Sequence, residues 1–284
     1  MDNSFILECS NLTKIYRIFP GKKIYALKDF SINVPGGVVF SIIGPNGSGK
    51  TTLFKILMGF ITRFSGQFIL RGSVNGRNIS VREKIGFLPE NPSIYPDLNA
   101  YESLKFYGSF FKESRISSKE NIERLMELVG LTEHRNKKVK EYSKGMIQRL
   151  SIAQAIINNP ELLILDELTS GLDPFVTEEI NAIIIKLKKE GKTIILSSHL
   201  LGHIQDISDT IGILFMGRLL KVGTLKDITQ VSDRGIIIFD TKGKPLHECR
   251  EVISSCGIEI FNVDYLTNDL EEAFKDIVKK EKEK

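Results

Sequence analysis

Gly44-Pro45-Asn46-Gly47-Ser48-Gly49-Lys50-Thr51 has the spacing G-x-x-x-x-G-K-[ST] of a loop that wraps a polyphosphate. Glycines in such a loop let backbone N–H groups turn inward and come close to phosphate oxygens. Lys50 brings a cation to the β- and γ-phosphates. Thr51 brings a hydroxyl to Mg²⁺, and Thr52 follows it at the start of the next helix. That helix adds its positive N-terminal end to the anion site. A chance glycine turn is the plain alternative. The apolar run 38–43 before the loop and the helical pattern after it argue against chance. The motif marks a nucleoside triphosphate site without choosing between kinase, GTPase and ATPase.

A second segment carries acid chemistry. Leu162-Leu163-Ile164-Leu165-Asp166-Glu167 is four apolar residues followed by two carboxylates. A buried strand ending there delivers Asp166 to a metal shell and places Glu167 to polarise a water for in-line attack. Two solvent-facing acids at a strand end are the bland alternative, weakened by the phosphate loop upstream. Between these segments, Tyr142-Ser143-Lys144-Gly145-Met146-Ile147-Gln148-Arg149-Leu150 reads as a helix start. Ser143 is placed to cap it, which makes a second anion site.

These residues need elements to position them. Strands are expected at 5–9, 28–34, 38–43, 162–166 and 193–197, with a helix over Pro174–Lys189. A strand–helix–strand unit of this kind favours a parallel sheet. Helical spacing dominates from 99 to 158, with Leu104, Tyr107 and Phe111 recurring, and then Ile122, Leu125, Met126 and Val129 before Gly130. Residues 211–215 and 218–222 straddle Met216-Gly217 as a hairpin. Beyond about residue 223 the character changes. Strands at 235–240 and 257–263 and a charged helix at 270–282 suggest a small accessory domain.

Composition sets the outer bounds. The chain has 284 residues, 42% hydrophobic and 26% charged, which suits one large domain or two small ones and excludes a disordered or fibrous chain. A net charge of +4 gives no reason to expect nucleic acid. Cys9, Cys249 and Cys256 form no disulfide framework and no common metal spacing, in keeping with a reducing cytosol. No signal peptide and no membrane-spanning apolar run stand out, so a protein that works at a membrane needs another chain to span it.

The order of motifs resembles the ATP-binding-cassette (ABC) ATPases across about residues 5–228. The 142–150 segment resembles their L-S-G-G-Q signature, with Tyr142, Lys144 and Met146 in place of Leu, the first Gly and Gln. That form looks like the cassettes of the type-two export branch. Leu168-Thr169-Ser170-Gly171-Leu172-Asp173-Pro174 resembles the D-loop segment, and His199 resembles the switch histidine that reaches the γ-phosphate. Asn11-Leu12-Thr13-Lys14-Ile15-Tyr16 looks like the adenine loop, with Tyr16 as the stacking ring. Tyr25 is the alternative ring, because Phe19-Pro20-Gly21-Lys22 shifts the loop if it is an insertion. The family commonly has Gln where Gly86-Phe87-Leu88-Pro89-Glu90-Asn91 places Glu90, a residue still able to contact Mg²⁺ or its water.

The resemblance implies an α/β fold: a P-loop core sheet with an antiparallel part, a helical subdomain over about 91–160, and a small C-terminal α+β domain at 229–284. It implies ATP and Mg²⁺ as ligands. It also implies head-to-tail pairing with a second cassette, as a homodimer, each ATP lying between one phosphate loop and the other chain's Ser143 and Gly145. Asp173 belongs to that nucleotide-contacting set. Lys50, Glu167 and His199 are the implied catalytic residues, and Thr51, Asp166 and Glu90 the implied metal residues. The expected partner is a separate membrane permease, which would hold the chain at the inner face of the cell membrane. The leading expectation is a transporter ATPase, of an exporter. A soluble ABC ATPase without a transport role and a nucleotide switch without useful hydrolysis are the alternatives. Zinc on His199 and His203 is a further reading, lacking an evident third ligand. Phe106, Tyr107, Phe110 and Phe111 are either core of the helical subdomain or a groove for a partner helix.

Overall fold

Residues 5–35 fold as one long antiparallel hairpin, β1 (Phe5–Ile18) and β2 (Lys22–Pro35). The sequence suggests only its inner half, at 5–9 and 28–34. In the outer half Ile15 pairs with Tyr25, Tyr16 with Ile24 and Arg17 with Lys23, and all six residues are exposed. With neither face buried, no apolar alternation marks those positions. The computed structural model describes residues 5–76, 79–199, 202, 204–229 and 245–255.

After the hairpin come β3 (Val39–Ile43), α1 (Lys50–Leu57), β4 (Ser65–Leu70), β5 (Ser73–Val74), the short α2 (Ile79–Arg82) and β6 (Ile85–Leu88). Helices α3 (Ala100–Gly108), α4 (Lys119–Leu128) and α5 (Lys144–Ala155) follow. Then come β7 (Leu162–Leu165), α6 (Pro174–Lys189), β8 (Thr193–Ser198), β9 (Thr210–Phe215), β10 (Arg218–Gly223) and α7 (Leu225–Ile228). One sheet has the order β2-β1-β4-β5 and is antiparallel. The other has the order β10-β9-β3-β8-β7-β6, parallel except for the β9–β10 hairpin. The fold is thus α/β, with the antiparallel part and the run of helices between β6 and β7 that the resemblance implies.

The central strands are buried on both faces, which is why they read as unbroken apolar runs. Their side chains alternate between two cores. Phe40, Ile42, Leu162, Ile164 and Ile195 join the cluster of the four-stranded sheet and α1, with Phe30, Phe54 and Phe68. Val39, Ile43, Leu163, Leu165, Ile194 and Leu196 join the other cluster, with Leu104, Leu125, Leu150 and Ile184 from the helices. Phe111 lies beyond the end of α3, so it does not share that helix with Leu104 and Tyr107, but it still packs on this second core.

Short polar side chains start the helices. Asn99 caps α3 in a reciprocal pair with Glu102, Ser118 caps α4, Ser143 caps α5, and Asp173 caps α6 ahead of Pro174. Gly86 lets β6 lie against α5, since a Cβ there would stand 2.1 Å from the Ala155 carbonyl oxygen.

The chain divides into two units, Met1–Thr229 and Gln230–Lys284. In the second, α8 (Leu246–Ser255) is described. The strands expected at 235–240 and 257–263 and the helix expected at 270–282 lie outside the described residues. Among the described residues, no helix is long and apolar enough to cross a membrane. Cys9 and Cys249 are free, and burial pushes the Cys9 thiol far up, so it serves as a core side chain. Cys256 lies outside the described residues.

Candidate nucleotide site

Parallel register gathers the chemistry at one sheet edge. Ile43 pairs with Ser198, and Leu165 with both Leu196 and Leu88. The chain leaves these strands into the phosphate loop, His199, Asp166-Glu167 and, two residues past Leu88, Glu90. This is the carboxyl edge of the parallel strands, where α/β proteins place ligands.

The phosphate loop is packed tightly from behind. A Cβ on Gly44 would stand 2.1 Å from the Leu214 carbonyl oxygen, and one on Gly49 2.1 Å from that of Ala26. Gly49 also takes φ 114° and Gly47 φ 79°, which a side chain resists. Around Gly47 the space is open. The Ser48 hydroxyl is buried without a hydrogen-bond partner. An open glycine and an orphaned hydroxyl in one loop fit a phosphate group. Pro45 and Asn46 complete the loop, and Thr51 and Thr52 lie half-buried in the first turn of α1.

Lys50 is 5% exposed and Glu167 8%, and they form an ion pair at 3.1 Å. The ammonium also donates to the Gly44 carbonyl at 2.6 Å and to that of Pro45 at 3.3 Å. The other Glu167 oxygen meets His199 Nδ1 at 2.6 Å. One carboxylate therefore bridges Lys50 and His199, the two side chains expected to reach phosphate. Glu167 sits at φ 50°, a left-handed conformation that a non-glycine residue adopts at a cost. Its backbone N–H donates to Ser197 Oγ at 2.9 Å, and that hydroxyl donates to Asp166 Oδ1 at 2.6 Å. Ser197 thus ties both acids to β8. Ser197 stands in the Ser197-Ser198-His199 string, but nothing in its spacing marks it as a partner of Asp166 and Glu167.

Asp166 is 1% exposed and accepts the Ser197 hydroxyl. Together with the Thr51 hydroxyl it offers hard oxygen donors suited to Mg²⁺. Glu90 is exposed, two residues past Leu88, whose carbonyl accepts the Asp166 N–H at 2.9 Å. For the zinc alternative, His203 lies outside the described residues, and His199 commits Nδ1 to Glu167. Among the described residues no group of three His, Cys, Asp or Glu side chains could hold a metal.

The two adenine candidates lie on opposite faces of the hairpin. Tyr16 pairs with Ile24, whereas Tyr25 pairs with Ile15. Each ring is exposed and has a lysine above it, Lys14 at 4.9 Å over Tyr16 and Lys28 at 5.2 Å over Tyr25.

At the signature segment, Ser143 accepts from the Met146 N–H at 3.2 Å. Gly145 allows contact with Val176, whose Cγ1 a Cβ would meet at 2.6 Å. Asp173 accepts from the Val176 N–H at 3.0 Å, so its carboxylate serves α6. Of the aromatic set, Phe106 and Phe110 are exposed and stack edge-on at 5.0 Å, with exposed Tyr95 at 5.3 Å from Phe106. The set is thus divided: Phe111 and Tyr107 are half-buried, Phe111 packing against the second core, while Phe106 and Phe110 are surface.

A phosphate loop at the carboxyl edge of a parallel sheet, facing a strand that ends in Asp-Glu, defines a P-loop nucleoside triphosphatase. Comparison with known proteins narrows this. A family model described as ABC transporter matches residues 27–170. An uncharacterized ABC transporter ATP-binding protein of Synechocystis is 41% identical over 227 residues, covering 78% of this chain and 64% of that relative's length. The lantibiotic transport ATP-binding protein SrtF of Streptococcus pyogenes is 40% identical over 217 residues, covering 76% of this chain and 89% of that protein. A dimeric post-hydrolysis structure of an ATP-binding cassette bound to ADP and Pi superposes with TM-score 0.69 at 27% identity, over 78% of this chain and 99% of that one. The chain belongs to the ABC transporter family, as one of its ATP-hydrolase cassettes.

Proposed function

We propose that this chain hydrolyses ATP to drive a separate membrane permease, pairing head to tail with a second copy and working in export. The observation that carries the reading is the Lys50–Glu167–His199 chain at the sheet edge. The Lys50 ammonium pairs with one Glu167 oxygen, and His199 Nδ1 shares a hydrogen bond with the other. A triphosphate in the loop draws Lys50 to its β- and γ-oxygens, and the freed carboxylate orients and deprotonates the attacking water. His199 keeps one ring nitrogen on Glu167 and turns the other to the γ-phosphate. Loop N–H groups between Asn46 and Thr52 hold the remaining charge. Mg²⁺ would be held by Thr51 and Asp166, with Glu90 beside them, and supplies charge neutralisation on the phosphate oxygens. Ser143, Gly145 and Asp173 would contribute to the site of the paired chain.

Export rests on the form of the signature and on the likeness to a lantibiotic transport protein. The permease would place the chain at the inner face of the cell membrane, and no nucleic acid enters this reading. The test is the mass of the Glu167→Gln chain in solution with and without Mg-ATP, alongside turnover of the unmodified chain. A dimer formed only with ATP, and measurable hydrolysis, are expected. A monomer in both conditions would count against a self-paired cassette, and absent hydrolysis against the enzyme.

The opposite faces of Tyr16 and Tyr25 make the adenine contact a clean comparison. Tyr16→Ala is expected to raise the Kd for ATP by the value of one base stack, about 1–3 kcal/mol, with Tyr25→Ala near neutral. Nucleotide titration showing the reverse order assigns the ring to Tyr25.

A further inference from the structure

We propose that Lys144 is a positioning residue that fastens the signature helix to the loop following Glu167, so that the two halves of the machinery move together. This rests on the ATP-hydrolysing reading above. Lys144 is the first residue of α5, and no acidic residue lies in that turn. A cation there faces the positive end of the helix and is unfavourable by itself. Its ammonium is taken up by carbonyls of another segment, Ser170 at 2.7 Å and Gly171 at 3.3 Å. Gly171 has φ 65°, and a Cβ on it would stand 2.7 Å from Lys144 Nζ.

One helical turn further along α5, on the same face, the Gln148 amide donates to the Leu168 carbonyl at 2.8 Å. The loop is therefore held at both ends of 168–171 by side chains of one helix face. Its first residue follows Glu167, whose left-handed backbone depends on what is fixed on either side. Lys144 acts on Glu167 of its own chain through this loop, by its bonds to the Ser170 and Gly171 carbonyls. Loss of the bond should thus lower turnover without changing ATP capture.

The test uses the full chain with Lys144→Met, which keeps the stem and removes the donors, and Lys144→Arg, which restores donors. Both act at an exposed position, so folding is retained. One readout is amide exchange at Leu172, whose N–H donates to Thr169 within the loop. In Lys144→Met the exchange should quicken about tenfold and kcat should fall about tenfold, the effect of one charge-assisted hydrogen bond. The KM for ATP should stay within about twofold. Lys144→Arg should restore most of both. Unchanged exchange in Lys144→Met overturns the proposal, as does faster exchange with unchanged kcat. An Arg variant as impaired as Met overturns it too, since packing would then be the cause. If the unmodified chain shows no turnover, the enzymatic reading fails, and the exchange measurement still decides whether the fastening exists.

Discussion

Glu167→Gln should bind ATP at least as tightly as the unmodified chain and turn it over about 10²–10⁴ times more slowly. The two halves have different causes. The slow step follows from losing the base that takes the water proton. Retained or tighter binding follows from the ion pair at 3.1 Å between Glu167 and Lys50. In the unmodified chain a phosphate competes with that carboxylate for the lysine, and in the variant it competes with a neutral amide. The amide keeps the shape, so the loop is not disturbed. Binding measured by titration and turnover measured by phosphate release check the two halves separately. Weaker binding would show that the pair organises the loop, and unchanged turnover would remove Glu167 as the base.

Lys50→Ala should give the opposite pattern. Losing a buried charge partner costs about 2–5 kcal/mol, which is about 30-fold or more in Kd for ATP. The same change reaches the nucleotide-free protein. Glu167, 8% exposed, then keeps only His199. Breaking a buried pair costs up to about 3–5 kcal/mol, and the remaining histidine contact reduces that figure. Lower stability in urea unfolding should accompany the lost binding. Adding Glu167→Gln to Lys50→Ala should recover stability and leave binding lost, because the uncompensated charge is gone while the phosphate ligand is still missing. A Lys50→Ala chain with unmodified affinity would take Lys50 out of the site.

The sequence reading succeeded where local chemistry sets the structure by itself. Helix α6 runs over Pro174–Lys189 as read, since Asp173 caps it and Pro174 suits its first turn. The apolar runs ending at Ile43 and Leu165 are strands because both faces are buried. β6 escaped notice because it is four residues long and contains Gly86, whose missing side chain answers to Ala155, a residue far along the chain. The outer half of the hairpin escaped because its exposed pairs leave no alternation. Within the site, residue types were legible and their pairing was not. Nothing in the run ending at Glu167 shows that it meets both Lys50 and His199, since that depends on which strands become neighbours. Helix α8 (Leu246–Ser255) lies between the strands expected at 235–240 and 257–263, in a stretch for which the sequence suggests no element.

The position of β3 has a consequence for synthesis on the ribosome. Its neighbours in the sheet are β8 and β9, made only by residues 193–198 and 210–215. A nascent chain that has just completed the phosphate loop has no strand beside the one that supports it. Pairing of this kind is closed late, across long intervening chain. The helices 100–155 can form and dock on one another while that edge waits. Competence to grip a triphosphate is therefore acquired only once β8, His199 and β9 have emerged, and a nascent chain stalled before residue 193 should not sequester cellular nucleotide.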